Sequence, residues 1–138
     1  MSGEFLDTNI LVYAFDTTAG ARHDTARKLI GRLLDEGSGL TSIQVLQELL
    51  VTLTRKVPSV LPTSTAVEIV EDLGTWPVFV PAVDDVVAAA RLASSARISF
   101  WDAMIVHAAA TLGASVLWSE DLSSGQVLAG VPVCNPFA

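Results

Sequence analysis

Paired cysteines and membrane-length apolar segments are both missing from this sequence. Cys134 is the one cysteine in 138 residues, so no internal disulfide can form, which favours a reducing, cytoplasmic environment. No apolar run approaches the roughly 20 residues of a membrane-spanning helix; the richest stretch, 103–118, is interrupted by polar residues. Glu4 and Asp7 precede any Lys or Arg, and we therefore expect no secretory signal peptide.

Basic residues are scarce. Eight Lys and Arg stand against fifteen Asp and Glu, which gives a net charge of −7. This balance argues against a general nucleic-acid-binding protein, because such proteins cover phosphates with Lys and Arg. A bound cation would weaken the argument, since it reverses the local field of an acidic pocket. Four of the eight basic residues lie within 22–32. They form either the solvated face of a helix or a basic rim facing phosphates or an acidic partner.

Apolar residues are abundant, and their spacing predicts the fold. Hydrophobic residues make up 51% of the chain and charged residues 17%, which predicts one folded domain over residues 1–138. Alternating and helical periodicities predict strands at 3–6, 39–41, 77–81, 115–118 and 131–133. They predict helices after residue 8, over 23–36, 41–57 and 66–73, from 84 and over 99–113. This alternation predicts an α/β fold, a three-layer α/β/α sandwich with a mainly parallel central sheet.

Several boundaries have specific sequence signals. Thr8 or Asn9 can cap the first helix, and Thr41 with Gln44 matches a capping box for the third. The strand at 77–81 is bracketed by prolines, which places it at the edge of the sheet rather than at its centre.

Four acidic residues stand where this pattern places them at one edge of the sheet. Asp7 and Asp121 follow strands, Glu48 lies in the second turn of a helix, and Asp102 lies in the first turn of another. Ligands of parallel sheets bind at the carboxyl ends of the strands. A carboxylate beside apolar sequence is costly without a compensating charge, and hard cations such as Mg²⁺ take oxygen ligands. The four residues are therefore candidate metal ligands and catalytic residues for phosphate-ester chemistry.

The segments that carry these acids form four motifs. They are FLDTNIL at 5–11, SIQVLQE at 42–48, FWDA at 100–103 and WSEDL at 118–122. In this order they resemble the motifs of the PIN-domain nucleases, and most closely those of the VapC-type toxins of bacterial toxin–antitoxin pairs. The resemblance implies a parallel sheet between helices, dependence on Mg²⁺ or Mn²⁺, and cleavage of RNA phosphodiesters by a metal-activated water. It also implies a homodimer and a cognate antitoxin protein that binds near the active site.

Small polar residues accompany the acids in these motifs. Thr8, Asn9 and Ser119 are placed to hydrogen-bond the ligand carboxylates and so to orient them. In the fourth motif Glu120 and Asp121 are adjacent, and only one of them need point inward. Asp121 is the better match, because it stands two residues after the small hydroxyl residue Ser119.

Each acidic residue also has an interpretation without metal chemistry. Asp7 could cap the helix that follows its strand, and Asp102 could support a helix N-terminus three residues after Ser99. Glu48 could be an exposed helix residue, and Asp121 an ordinary loop acid.

The tryptophan and histidine side chains give weaker evidence about the site than the acidic residues do. Trp101 could stack on an RNA base, although core packing is the commoner role of such a ring. His23 and His107 match no motif position, so we place neither in the site.

Three other functions compete with a nuclease. A haloacid-dehalogenase-type, metal-dependent phosphatase also has an Asp after its first strand, but the second Asp of that pattern is replaced here by Asn9. A response-regulator-like receiver needs a late Lys, and no Lys or Arg follows Arg97. A degenerate PIN fold kept as a protein-binding module would lack an acidic position, whereas all four are present.

Overall fold

Alternating strands and helices build a three-layer α/β/α fold in the computed structural model, which describes residues 3–138. The strands are β1 (Glu4–Leu6), β2 (Gly39–Ser42), β3 (Val78–Phe79), β4 (Val116–Trp118), β5 (Val127–Leu128) and β6 (Val131–Cys134). The helices are α1 (Thr8–Phe15), α2 (Ala21–Glu36), α3 (Ile43–Arg55), α4 (Thr63–Leu73), α5 (Val83–Ala96) and α6 (Phe100–Thr111). Within residues 3–138, no helix combines the length and apolar character needed to cross a membrane.

The sheet has the order β3-β2-β1-β4-β6-β5, with β1 near its centre. β1 pairs in parallel with β2 on one side and with β4 on the other. Among the strands of residues 3–138, the short β5 is the one that runs antiparallel to its neighbour. Phe5 and Leu6 of β1 and Leu117 of β4 are fully buried, as expected of strands covered by helices on both faces. The carboxyl ends of β1, β2 and β4 therefore lie side by side at one end of the parallel strands, which we call the carboxyl edge of the sheet.

The predicted strands and helices are confirmed, including the edge position of β3, but three local details differ. β5 was not predicted, because two residues carry no periodicity. α1 is capped by Asp7, in agreement with the alternative interpretation of that residue, and not by Thr8 or Asn9. α3 is capped by Ser42, whose Oγ accepts from Val45 N at 3.2 Å, and not by Thr41. Thr41 instead continues β2 and is fully buried.

An ion pair holds α2 against the amino end of β1. Arg32 donates to both oxygens of Glu4, at 2.8 and 2.9 Å, and Trp118 Nε1 donates to Glu4 at 2.8 Å. The hydrogen bond from Arg32 is the main reason that the pKa of Glu4 lies below its usual range. Arg27 and Lys28 of the same helix are exposed, so much of the basic stretch is a solvated helix face.

Gly39 of β2 offers a direct test of the packing beside the central strand. A Cβ atom at this position would lie 2.3 Å from the ring of Trp76, which is buried and rigid. We expect Gly39→Ala to lower the free energy of unfolding by about 1–3 kcal/mol, the usual cost of overpacking. Gly31→Ala is the matched control. Gly31 lies within α2 with open space around it, so the same change should raise stability by about 0.5–1 kcal/mol. Urea denaturation distinguishes the two, and equal effects at both positions would contradict the packing.

Candidate active site

The centre of the site forms where β1 and β4 end side by side. Leu6 pairs with Trp118, so the next residues, Asp7 and Ser119, stand together beyond the sheet. Asp7 N donates to the carbonyl of Trp118 at 2.9 Å, and Ser119 Oγ donates to Asp7 Oδ2 at 2.9 Å. The other carboxylate oxygen, Oδ1, accepts from Thr8 N at 2.7 Å at the start of α1. Both oxygens of Asp7 are thus held by hydrogen bonds.

Two helices and one loop bring the remaining acids to the same edge. Glu48 comes from the second turn of α3, and its Oε1 accepts from Thr8 Oγ1 at 2.7 Å. Asp121 lies in the loop after β4, where its Oδ2 accepts from Asn9 Nδ2 at 3.1 Å.

Asp102 lies in the first turn of α6. Its backbone N–H donates to Oγ of the helix cap, Ser99, at 3.0 Å. The Asp102 side chain lines the pocket at the carboxyl ends of the strands, and its role as a metal ligand stays a prediction.

All four predicted carboxylates line one pocket of about 400 Å³. Asp7 is buried, with 7% of its surface exposed, whereas Asp102 is half-buried and Glu48 and Asp121 are exposed. As placed, no three His, Cys, Asp or Glu side chains in the described part of the chain are close enough to hold a single metal ion. The four acids share a pocket without converging on one point. Whether they act as metal ligands stays a prediction.

Glu120, the neighbour of Asp121, faces away from the pocket. Its carboxylate accepts from the hydroxyl of Tyr13 and from Arg22 Nε, the latter at 3.0 Å. The Arg22 guanidinium also lies over the rings of Tyr13 and Phe137, at 5.9 and 5.2 Å from their centroids. This cluster fixes the loop after β4, and Asp121 is the one of the two adjacent acids that lines the pocket.

Burial dominates the electrostatics of the site. It raises the pKa of Asp7 to about 6; the hydrogen bonds from Ser119 and Thr8 N oppose the shift, and the charges of Asp121 and Asp102 add to it. The pKa of Asp121 is also raised, first by burial and then by the charges of Asp102 and Glu120. Self-repulsion among partly desolvated carboxylates is the condition that a bound cation relieves.

Sequence reasoning missed much of the pocket wall. α3 and its C-cap contribute further lining residues, namely Gln44, Gln47, Val51, Thr52 and Lys56, and α6 adds Ile105. A helical count from Glu48 would have found most of them, because residues three, four, seven and eight positions apart share a helix face.

Of the tryptophan and the two histidines considered in the sequence analysis, only Trp101 lines the pocket. Trp101 is 63% exposed and lines the pocket, so the core-packing interpretation of this residue is wrong. His107 bonds Asp85 at 2.8 Å, and His23 Nδ1 lies 2.9 Å from the carbonyl of Tyr13. Neither histidine lines the pocket.

Comparisons with known proteins identify the family and agree with the fold. The family model for the PIN domain matches residues 5–124. The fold is similar to that in a DNA-bound VapBC structure from Salmonella typhimurium, with a TM-score of 0.68, 17% identity and 99% of each chain covered. It is also similar to VapC20 of Mycobacterium tuberculosis, a sarcin-ricin loop cleaving toxin. The TM-score is 0.63 at 20% identity, with 85% of this chain and 88% of that chain covered. A third similar structure is VapBC2 from Rickettsia felis, bound to a DNA fragment from its promoter. Its TM-score is 0.66 at 18% identity, with 96% of this chain and 97% of that chain covered. No curated protein matches the sequence. At these identities the structural likeness concerns the fold.

Proposed function

The chain belongs to the PIN-domain family, and on that basis we propose that it is a metal-dependent endoribonuclease, the toxin of a toxin–antitoxin pair. The observation that carries the proposal is the shared pocket of Asp7, Glu48, Asp102 and Asp121 at the carboxyl edge of the sheet. The similar structures add support, because one of them is a sarcin-ricin loop cleaving toxin and two are VapBC structures.

The chemistry of the pocket fits Mg²⁺ or Mn²⁺. Apart from Lys56, the titratable groups that line the pocket are all carboxylates, and hard cations bind carboxylate oxygens. Asp7 is buried without a neutralising charge, and its raised pKa reflects that cost. When bound, such an ion neutralises charge at the phosphate and makes water acidic enough to act as a nucleophile. Asp7, Glu48 and Asp102 would hold the principal ion, with Asp121 contributing directly or through water.

Hydrogen bonds from neighbouring residues orient three of these four carboxylates. Ser119 and the backbone of Thr8 fix the two oxygens of Asp7, the Thr8 hydroxyl fixes Glu48, and Asn9 fixes Asp121. Groups that hold ligands in this way reduce the reorganisation needed when an ion and a substrate bind. The chain would thereby present a prearranged acidic surface to the scissile phosphate.

Partners and assembly follow from the same proposal. We propose a cognate antitoxin that binds near the pocket, a homodimer, one domain over residues 1–138, and action in the cytoplasm. Exposed apolar side chains around the start of α5, including Val80, Val83 and Val86, are compatible with protein contacts there.

Incubation of the purified protein with total RNA tests the proposed activity. With Mn²⁺ or Mg²⁺ we expect discrete internal cuts that leave 5′-phosphate and 3′-hydroxyl ends, because an activated water and not the RNA 2′-hydroxyl is the nucleophile. EDTA should abolish the cuts. Cleavage that persists in EDTA and leaves cyclic phosphates would contradict the proposal. Hydrolysis of a phosphomonoester without RNA cleavage would favour the phosphatase alternative.

A further inference from the structure

The Asp121 loop, residues 119–125, presents two adjacent carboxylates to one helix. Asn9 Nδ2 donates to Asp121 Oδ2 at 3.1 Å, and the Tyr13 hydroxyl donates to Glu120. Asn9 and Tyr13 are four residues apart on α1, so they share a helix face. Asp121 lines the pocket, whereas Glu120 and Tyr13 lie outside it. One face of α1 therefore holds both acids, one of them inside the pocket and the other outside it.

Arg22 holds Glu120 from the start of α2. Its Nε donates to the Glu120 carboxylate at 3.0 Å, and its guanidinium lies 5.9 and 5.2 Å from the ring centroids of Tyr13 and Phe137. Those two rings meet edge to face, with centroids 5.4 Å apart. An isolated surface ion pair contributes little, partly because two long side chains must be ordered. Here the rings order the planar guanidinium and only 15% of the Glu120 side chain is exposed, so the pair restrains the loop more than an isolated pair would.

Phe137 comes from a segment that lies outside the PIN-domain match at 5–124. Ser124 Oγ, near the end of the Asp121 loop, accepts from Asn135 N at 3.1 Å. Asn135 Oδ1 in turn accepts from Phe137 N at 2.9 Å, a side-chain turn that fixes the backbone in front of the ring. This segment therefore contacts the Asp121 loop through its backbone and Arg22 through its ring.

From these contacts we propose that Arg22 is a positioning residue for Asp121. Together with Tyr13 and Phe137 it holds Glu120 outside the pocket, and this contact keeps the neighbouring Asp121 carboxylate turned into the pocket. The peptide unit that joins Glu120 and Asp121 is planar, so a rotation that releases one side chain also turns the other. The inference rests on the proposed function, because Asp121 is there given a part in holding the ion. It adds a residue of α2 that does not itself line the pocket.

Hydrogen exchange in EDTA tests the positioning without metal or substrate. In Arg22→Gln the amides of residues 119–125 should exchange about 3- to 10-fold faster than in the wild type, because the loop loses its ion pair and its cation–π contacts. The amides of β1 should exchange as before. Arg22→Lys keeps the charge without the planar guanidinium, and its exchange should lie between the two.

Three further variants define the origin of the effect. Phe137→Ala should accelerate exchange in the same loop, whereas Phe137→Tyr keeps the ring and should not. Arg27→Gln is the matched control, since it makes the identical change at an exposed arginine of α2 outside the cluster and should exchange as the wild type does. Thermal unfolding of each variant checks that the fold is retained.

Mn²⁺ binding, followed by calorimetric titration, tests whether the positioning reaches the metal site. Arg22→Gln should weaken Mn²⁺ binding about 10-fold, the lower end of the effect of losing a group that orients a ligand. Asp121→Asn should weaken it at least as much. The double variant should bind Mn²⁺ as Asp121→Asn alone does, because Arg22 then has no carboxylate to position.

The outcomes separate this inference from the proposed function. Unchanged loop exchange in Arg22→Gln, additive losses of Mn²⁺ affinity in the double variant, or faster exchange with unaltered Mn²⁺ affinity would each overturn the positioning role. Metal-dependent RNA cleavage by the wild type would in those cases leave the nuclease standing. If the wild type never cuts RNA while loop exchange and Mn²⁺ affinity change as expected, the positioning role stands and the nuclease function is wrong.

Discussion

Asp7→Asn is expected to reduce the rate of RNA cleavage at least about 1,000-fold, because several kcal/mol of charge stabilisation depend on a correctly held cation. Asn keeps the shape of the side chain and can still accept from Thr8 N, so the backbone at the start of α1 should be preserved. What disappears is the most deeply buried negative charge of the pocket. Single-turnover cleavage of a labelled RNA in Mn²⁺ measures the effect.

Asp35→Asn is the matched control for this experiment. Asp35 is exposed on α2, outside the pocket, so the identical chemical change should leave the cleavage rate unaltered. A second measurement is the rise in melting temperature on addition of Mn²⁺, which should be clear for the wild type and Asp35→Asn and much smaller for Asp7→Asn. An Asp7→Asn protein that keeps more than a tenth of the wild-type rate would remove Asp7 from the catalytic centre.

The second large effect concerns the pH dependence of stability. The pKa of Asp7 is about 6 in the folded protein against an ordinary value of 3.8. Well below pH 3.8 the Asp7 carboxyl is protonated in both the folded and the unfolded protein, whereas between about pH 4 and pH 6 the folded protein keeps the proton and the unfolded protein loses it. Above pH 6 the folded protein carries a buried charge. The contribution of Asp7 to the free energy of unfolding of the metal-free protein should therefore fall by about 3 kcal/mol between pH 4 and pH 7, at about 1.4 kcal/mol per pKa unit.

Comparison with Asp7→Asn isolates this contribution from the other carboxylates. Relative to the wild type, the variant should become more stable by about 3 kcal/mol as the pH rises from 4 to 7, since Asn has no proton to lose. The lost hydrogen-bond geometry with Ser119 adds an offset that does not vary with pH. Urea denaturation in EDTA across this range gives the difference directly. A difference that is flat with pH would show that the Asp7 carboxylate is well compensated in the folded protein and needs no cation.

The placement of the four acids was predictable because it depends on topology. Asp7 and Asp121 follow parallel strands in sequence and therefore lie at the carboxyl edge. Glu48 lies near it because it is in the second turn of a helix that begins there. The choice between Glu120 and Asp121 was only suggested by motif spacing. In the folded protein it is made by contacts with Tyr13 and Arg22, about 100 residues away in sequence.

Local details depended on information that periodicity does not carry. The predicted capping box at Thr41 and the observed cap at Ser42 differ by one residue, and both residues pair with β3, so hydrophobic periodicity could not have distinguished them. The exposure of Trp101 depends on how the start of α6 meets α3, a tertiary contact that no local pattern encodes. Lys56 and the other pocket-lining residues of α3 were not predicted, because Glu48 was treated as a single ligand and the helix face around it was not considered.

The contact of Phe137 with Tyr13 and Arg22 has a practical consequence for protein engineering. The two rings meet edge to face, with centroids 5.4 Å apart, beside the residues that hold the Asp121 loop. A purification handle fused after Ala138 would begin one residue from this contact and could disturb activity without touching the acidic pocket. The amino end of β1, in contrast, lies at the opposite end of the parallel strands from the acidic pocket, which makes a handle ahead of Glu4 the safer arrangement for biochemical work.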